Sequence, residues 1–428
     1  MNREKTASPI ASSFSFLLRK TWNAWDVRGM VLLSLVLQIA LFVLGKRRKY
    51  SVSLINRMTL WLAYISADWI AIATLGKLSN SHAESPTTNV LRVLWAPLLI
   101  LHLGGPDTIT AYSFEDTQLW TRHLLTLVVQ SILAIYVIYL SWTQVWFSLL
   151  TLPLILAGII KYVERILCLK LTNSKRTSWI ISIFNNPAHL SLTELNELLD
   201  NPESQVVLLG YLLFSAMRPD INDYLCHKEY PLSFKVRIQT YLRETIGQFS
   251  QEVKLIVQDW LKGSELSDSH FNIAAAELGF MFDVVYTKAA LIYTKKGCFL
   301  RLCSFTCSLA VLLLFLISVM NESTFSFSRV DIFITISLLV GAVTMEFCTV
   351  FSMLSSDWAV LLMLFHDNCL VRKILQYVLQ YIPCLLSQQK VRSSQMGQFD
   401  LLDYCWNYSK AKVYGFLEKN CGSDILEN

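Results

Sequence analysis

"VLRVLWAPLLILHL" (residues 90–103) is the stretch whose reading decides the fold. It is apolar enough for a bilayer interior, yet it is short and contains Pro97. A helix needs ~20 mostly apolar residues to cross. It therefore reads either as a broken span or as a re-entrant segment. Towards the N-terminus lie "MTLWLAYISADWIAIATLG" (58–76), long enough but carrying Asp68 at its centre, and "MVLLSLVLQIALFVLG" (30–45), flanked by Arg28 and Lys46. Towards the C-terminus follow "LLTLVVQSILAIYVIYLSW" (124–142) and "VWFSLLTLPLILAGIIKYV" (145–163), the latter holding Pro153. Two further runs, 302–320 and 332–354, come after a long mixed region. The pattern predicts an all-α membrane protein with about seven spans, five before and two after a helical cytosolic module.

Composition agrees. Only 16% of the 428 residues are charged, against ~25% in an average soluble domain. The net charge of +5 (37 Lys and Arg minus 32 Asp and Glu) is mild. It argues against a nucleic-acid protein, which concentrates a basic face. None of the ten cysteines forms Cys-x-x-Cys, and no Cys/His spacing suits zinc, so they read as reduced and structural. The N-terminal run is expected to stay as a membrane helix, because Lys46-Arg47-Arg48-Lys49 follows it where a cleavable leader has small residues.

The boundaries expected are an N-terminal membrane domain (1–160), a helical cytosolic module (161–297), a two-span hairpin (298–365) and a cytosolic tail (366–428). Within the module, "SFKVRIQTYLRETIGQFSQEVKLIVQDWL" (233–261) alternates charge and hydrophobe at helical spacing. Basic residues set the orientation. Lys46, Arg47, Arg48, Lys49 and Arg57 crowd one loop, and Lys161, Arg165, Lys170, Lys175 and Arg176 another. Both are cytosolic only if 90–103 crosses, which puts the N-terminus outside and the C-terminus in the cytosol of a plasma-membrane or endomembrane protein.

The polar stretch 101–125 offers three readings. As structure, Gly104-Gly105-Pro106 ends one helix and Ser113-x-x-Asp116 resembles a capping box that starts the next. As a metal site, it supplies His102, Asp107, Glu115, Asp116 and His123. As an anion or lipid-phosphate nest, it uses backbone amides near Gly104 and Gly105, with Arg122 assisting. Asp68 and Glu346 are the intramembrane acids, each costing at least ~2.5–3.5 kcal/mol to insert, so each must meet a partner, water or a cation. Lys161 and Arg165 share one helical face and are expected to meet anionic lipid heads. No residue is singled out as catalytic, no cofactor is implied, and no nucleotide or nucleophile motif is present.

The blocks "LWLAYISADWIAIATLGKLS", "LWAPLLILHLGGPDTITAYSFEDTQLWTRHLL", "GIIKYVERILCLK", "AELGFMFDVVYTKAA" and "LLVGAVTMEFCTVFSMLSSDW" resemble, in this order, a plant family of multi-pass membrane proteins known as domain of unknown function 4220. The resemblance covers roughly residues 27 to 360. It implies a plant source and a membrane location, but no reaction. Members of that family carry a further C-terminal block, number 594, of which no counterpart is legible before Asn428.

Three functions are therefore in view. The leading one is a membrane scaffold or regulatory component acting through protein and lipid contacts at the cytosolic face, with partner proteins unidentified. The second is a channel or transporter lined by Asp68 and Glu346, and the third a metal-dependent membrane enzyme built on 102–123. Acids facing one polar cavity would favour transport, acids satisfied by neighbouring helices the scaffold, and converging ligands the enzyme.

Overall fold

The computed structural model describes residues 9–51, 53–84, 90–140, 145–173, 204–214, 269–321 and 328–365. All of them belong to one compact unit. Most of the expected cytosolic module, including 233–261, and the tail beyond 365 lie outside the described residues.

Every regular element among the described residues is helical. The α-helices are α1 (Pro9–Arg48), α2 (Leu54–Glu84), α3 (Trp95–Leu103), α4 (Glu115–Gln118), α5 (Trp120–Leu140) and α6 (Val145–Asn173). Then come α7 (Ser204–Phe214) and α8 (Ser269–Tyr286), α9 (Ala289–Ile292), α10 (Lys295–Asn321), α11 (Arg329–Leu354) and α12 (Asp357–Phe365). A 3-10 turn, Val90–Leu94, leads into α3.

Among the described residues, five helices are long and apolar enough to cross a bilayer: those holding Trp25–Arg48, Leu54–Asn80, Trp120–Tyr139, Lys295–Met320 and Arg329–Leu354. The expected count of about seven is not reached on length and apolarity. α6 has 29 residues but carries Lys161, Glu164 and Arg165 in its second half, and α3 has only nine. In the five long helices only 28–39% of the apolar windows is buried, so most of their apolar surface faces outward. Leu125, Ile132 and Tyr139, spaced two turns apart on α5, are 66%, 63% and 76% exposed, the pattern of a face that meets lipid rather than water.

The short segment is the centre of the bundle. All nine residues of α3 are buried, against α1, α2, α5, α6 and α11. Apolar character on every side marks a helix enclosed by others. α3 and α6 run parallel, because Gly158 lies under Ile100 and Leu101 while Gly104 lies against Lys161 and Tyr162. A Cβ at Gly104 would stand 2.7 Å from Lys161 Cβ and 3.0 Å from the Lys161 carbonyl carbon. Backbone is on the far side of that contact, so a flexible side chain cannot yield. Gly104→Ala is expected to cost ~1–3 kcal/mol by overpacking, read as a lower melting temperature in detergent. Gly76→Ala is the control: nothing lies within 4 Å of its Cβ, so the helix should be unchanged or slightly more stable.

The chain from 91 to 112 runs from one end of the bundle to the other. At its start, Trp95 donates to Thr335 Oγ1 at 3.0 Å, one turn from Asp331, which receives Arg28 at 2.7 and 2.9 Å. At its finish, Arg48 donates to the Tyr112 carbonyl at 2.8 Å, and Tyr112 Oη donates to the Arg57 carbonyl at 3.4 Å. Helix thus covers the first half and irregular chain the second, and residues 104–107 and 109–111 are buried. Irregular backbone survives at depth only where protein satisfies it. Here Arg165 donates to the Leu103 carbonyl at 2.8 Å, and Lys288 Nζ to the Gly105 carbonyl at 3.2 Å. The Lys288 and Thr110 amides donate to the Asp107 and Tyr286 carbonyls at 3.2 and 2.7 Å. Two cations therefore stand at the α3 C-terminus, where orphan carbonyls and the negative end of the helix dipole favour them. Gly105 takes φ +66, the left-handed turn that lets the chain leave α3.

Candidate functional site: a buried charge network under the broken helix

Six charged side chains meet beneath the C-terminus of α3. Arg301, nearly two turns into α10, donates to Glu346 Oε2 of α11 at 3.0 Å and to Glu164 Oε2 of α6 at 3.2 Å. It also pairs with Asp107 of the irregular segment. Lys161 of α6 pairs with Glu346 Oε1 at 2.8 Å, and Ser304 donates to the same oxygen at 3.1 Å. Lys288, between α8 and α9, stands 3.4 Å from Asp107 Oδ1. Three acids and three bases make the set formally neutral, and all six are at most 7% exposed. A neutral, mutually paired set is the form in which charge survives in a low-dielectric interior. Burial pushes the Lys288 ammonium below its ordinary value, against the pull of Asp107 and Glu164.

A second pair lies apart from this set. Arg165 of α6 donates two bonds to Asp68 of α2, at 2.9 and 3.2 Å. A guanidinium fork against a carboxylate fixes orientation as well as charge. Arg165 is 3% exposed, while the Asp68 side chain is 27% exposed. Asp68 and Glu346 are therefore held by separate partners, not by one shared cavity.

The remaining polar residues of 101–125 scatter. His102 shares a 2.9 Å hydrogen bond between Nδ1 and Ser34 Oγ. His123 is buried, whereas Glu115 and Arg122 are exposed. Asp116 accepts the Ser113 and Tyr112 amides, each at 2.9 Å. That is the reciprocal half of the expected capping box; α4 has no side-chain cap at its own N-cap, Phe114. Among the described residues no group of three or more His, Cys, Asp or Glu is placed to hold a metal. Of the metal candidates, only Asp107 enters the network, and there it meets cations of the chain. Lys161 and Arg165, expected to face lipid heads, are turned inward and ion-paired. α6 packs on α3 through the very face that carries them, and the acids of α2 and α11 lie on that side.

Arg301 was not singled out from the sequence. A lone Arg at the edge of an apolar run reads as a flank whose head snorkels to the interface. Glu164 and Lys288 each stand in the sequence among other charged residues and carry no motif of their own. Their common signal was weak: one base or acid each, within two turns of the end of an apolar stretch.

At the same end, Lys49 pairs with Asp283 at 2.8 Å, and Trp358 Nε1 donates to Asp283 at 3.2 Å. Burial lowers Lys49, but Asp283 outweighs it and holds the ammonium above the ordinary 10.5. A base raised on folding lends stability fully below its unfolded value and loses it as pH rises through the folded one. The melting temperature should therefore fall more steeply above pH about 10.5 in the wild type than in Asp283→Asn, compared in parallel pH series.

The model of the family Domain of unknown function (DUF4220) matches residues 61–405. The chain belongs to that family. The match takes in α3, the irregular segment and all six network residues. No curated protein and no solved structure matches the DUF4220 chain.

Proposed function

We propose that this DUF4220 chain is a bilayer-embedded scaffold or regulatory component, working through contacts at its basic end rather than by moving ions. The closed network carries this reading. Asp68 has Arg165, and Glu346 has Lys161 and Arg301. Each intramembrane acid is spent on joining helices, and the central segment that a path would use is packed on all sides.

Seven traverses complete the reading, with 91–112 crossing half as helix and half as enclosed irregular chain. Arg47, Arg57, Arg122, Lys170, Lys295 and Lys296 are all exposed. They sit at the end of α1, the starts of α2, α5 and α10, and the end of α6. Lys170 over the Trp120 ring at 4.9 Å supports putting the start of α5 beside the end of α6. Such a basic collar suits the anionic cytosolic leaflet, at about 1 kcal/mol per basic residue near the surface.

The test is flux in liposomes holding folded, purified protein. None is expected above empty liposomes for H⁺, K⁺, Na⁺, Ca²⁺ or Cl⁻. Flux that falls in Asp68→Asn or Glu346→Gln would make the protein a transporter and overturn the scaffold.

A further inference from the structure

The turn between α1 and α2 gathers three guanidiniums. Arg47 and Arg48 close α1, and Arg57 stands in the first turn of α2. Ser51 fastens the two helix ends together. Its amide donates to the Arg47 carbonyl at 2.9 Å, and its Oγ accepts Asn56 Nδ2 at 3.0 Å. Tyr112 joins from the irregular segment, accepting Arg48 at its carbonyl and donating from Oη to the Arg57 carbonyl. We infer that this corner binds the terminal phosphate, a phosphomonoester, of an anionic membrane lipid. The inference rests on the bilayer-embedded reading above and assigns one site and one headgroup class within the basic collar.

The positive charge here is unspent. Arg47 and Arg57 are exposed, and neither side chain has a hydrogen bond or ion pair among the described residues. Arg48 lies over the Tyr112 and Tyr286 rings at 4.7 Å each and the Phe282 ring at 5.7 Å. Aromatic faces attract a cation without neutralising it, and Arg48 Nη1 is buried with no hydrogen-bond partner. The acid that acts on Arg48 is Asp116, which already accepts the Tyr112 and Ser113 amides. Lys49 is set aside because Asp283 holds it, and Lys46 because it lies on the α11 side. Three bases against one acid leave two positive charges, and Arg57 repels Arg48.

A phosphomonoester carries about −1.5 to −2 charge near neutrality and three acceptor oxygens. It matches that surplus and relieves the repulsion. A phosphodiester brings roughly one negative charge and fewer free oxygens, and a zwitterion brings no net charge. Exposed guanidiniums also present the planar donor fork that fits phosphate.

Position supplies the lipid. Trp61, one turn on from Arg57, is 46% exposed, at the level where tryptophan sits between headgroups and hydrocarbon. Leu54, Met58, Leu62 and Ile65 are exposed around it. A lipid whose phosphate meets Arg57 can lay its acyl chains on that apolar surface. A free phosphomonoester shares the headgroup chemistry but gains nothing from it.

Full-length protein, stripped of lipid in detergent, should be titrated with short-chain phosphatidic acid, phosphatidylglycerol and phosphatidylcholine, and with glycerol phosphate. The melting temperature reports binding. Phosphatidic acid should stabilise saturably, and at a lower concentration than the other three. Arg57→Gln should weaken that binding about tenfold, the scale of one charged hydrogen bond lost. Arg47→Gln should act in the same direction and serves if the first variant fails to fold. Lys296→Gln, an exposed base of the collar at the start of α10, should leave it unchanged.

Equal stabilisation by phosphatidylglycerol would overturn the phosphomonoester, and equal stabilisation by glycerol phosphate the lipid source. Unaltered binding in both arginine variants, or an equal loss in Lys296→Gln, would overturn the site and leave only a diffuse collar. Ion flux in the liposome assay would sink the scaffold while leaving this titration to stand or fall separately.

Discussion

Arg301→Leu should be the most damaging single substitution in the bundle, lowering stability by ~3–5 kcal/mol, the range for removing one partner of a buried ion pair. Arg301 meets three carboxylates from three separate segments: Asp107, Glu164 and Glu346. Without it, Lys161 and Lys288 face three acids, and one negative charge stays buried without a counter-charge. Arg301→Lys should recover only part of the loss. An ammonium keeps the charge but lacks the planar fork that reaches two carboxylates at once. Thermal or denaturant unfolding in detergent, with helix content as the signal, reads both. A Leu variant as stable as wild type would mean that the network does not hold α6, α10 and α11 together.

The second large effect is at Asp68 and Arg165. Asp68→Asn leaves a guanidinium inside the bundle with the Leu103 carbonyl and the Tyr64 ring as its neighbours but no counter-charge, and should cost ~2–4 kcal/mol. That is below the range for a fully enclosed pair, because the Asp68 side chain keeps 27% of its surface exposed. Arg165→Met should cost a similar amount, since it strands the acid and uncaps the end of α3. The double variant should recover much of the sum, with a coupling energy above ~1.5 kcal/mol in the cycle. Additive losses would show that the two groups do not depend on one another, and would reopen the question of what Asp68 faces.

These two results bear on function as well as stability. If the ions are fixed joints, neutralising a pair together is tolerated. If they are stations on a path, the double variant is as inactive as the singles in a flux assay, whatever its stability. The glycine at 104 separates the same readings differently, since Gly104→Ala disturbs the α3–α6 contact without changing any charge.

Helical class and membrane character were legible in residues 30–45, 58–76, 124–142, 302–320 and 332–354, because each is an apolar run of spanning length or close to it. That property belongs to the segment alone. The reciprocal bond from Ser113 to Asp116 was also legible, being a contact over three residues. The roles of Lys161 and Arg165 were not. Their spacing puts them on one face of α6, but whether that face meets lipid heads or α3 depends on which helix packs there. Glu346 shows the same limit. The cost of a buried acid predicts that a partner exists, while its identity, Arg301, lies 45 residues away.

Local properties therefore determined the elements: which stretches are helical, which are apolar along a spanning length, and where a glycine must end a helix. Partnership was decided only by the tertiary structure. Residues 90–103 state that they are apolar and short. Only the surrounding α1, α2, α5, α6 and α11 make them a central pillar, and only Arg165 and Lys288, brought in from elsewhere in the chain, satisfy the carbonyls at its end. The physical reason is that a buried charge or unpaired carbonyl fixes how much must be compensated, not from where. The compensation comes from whichever distant residue the packing of helices delivers.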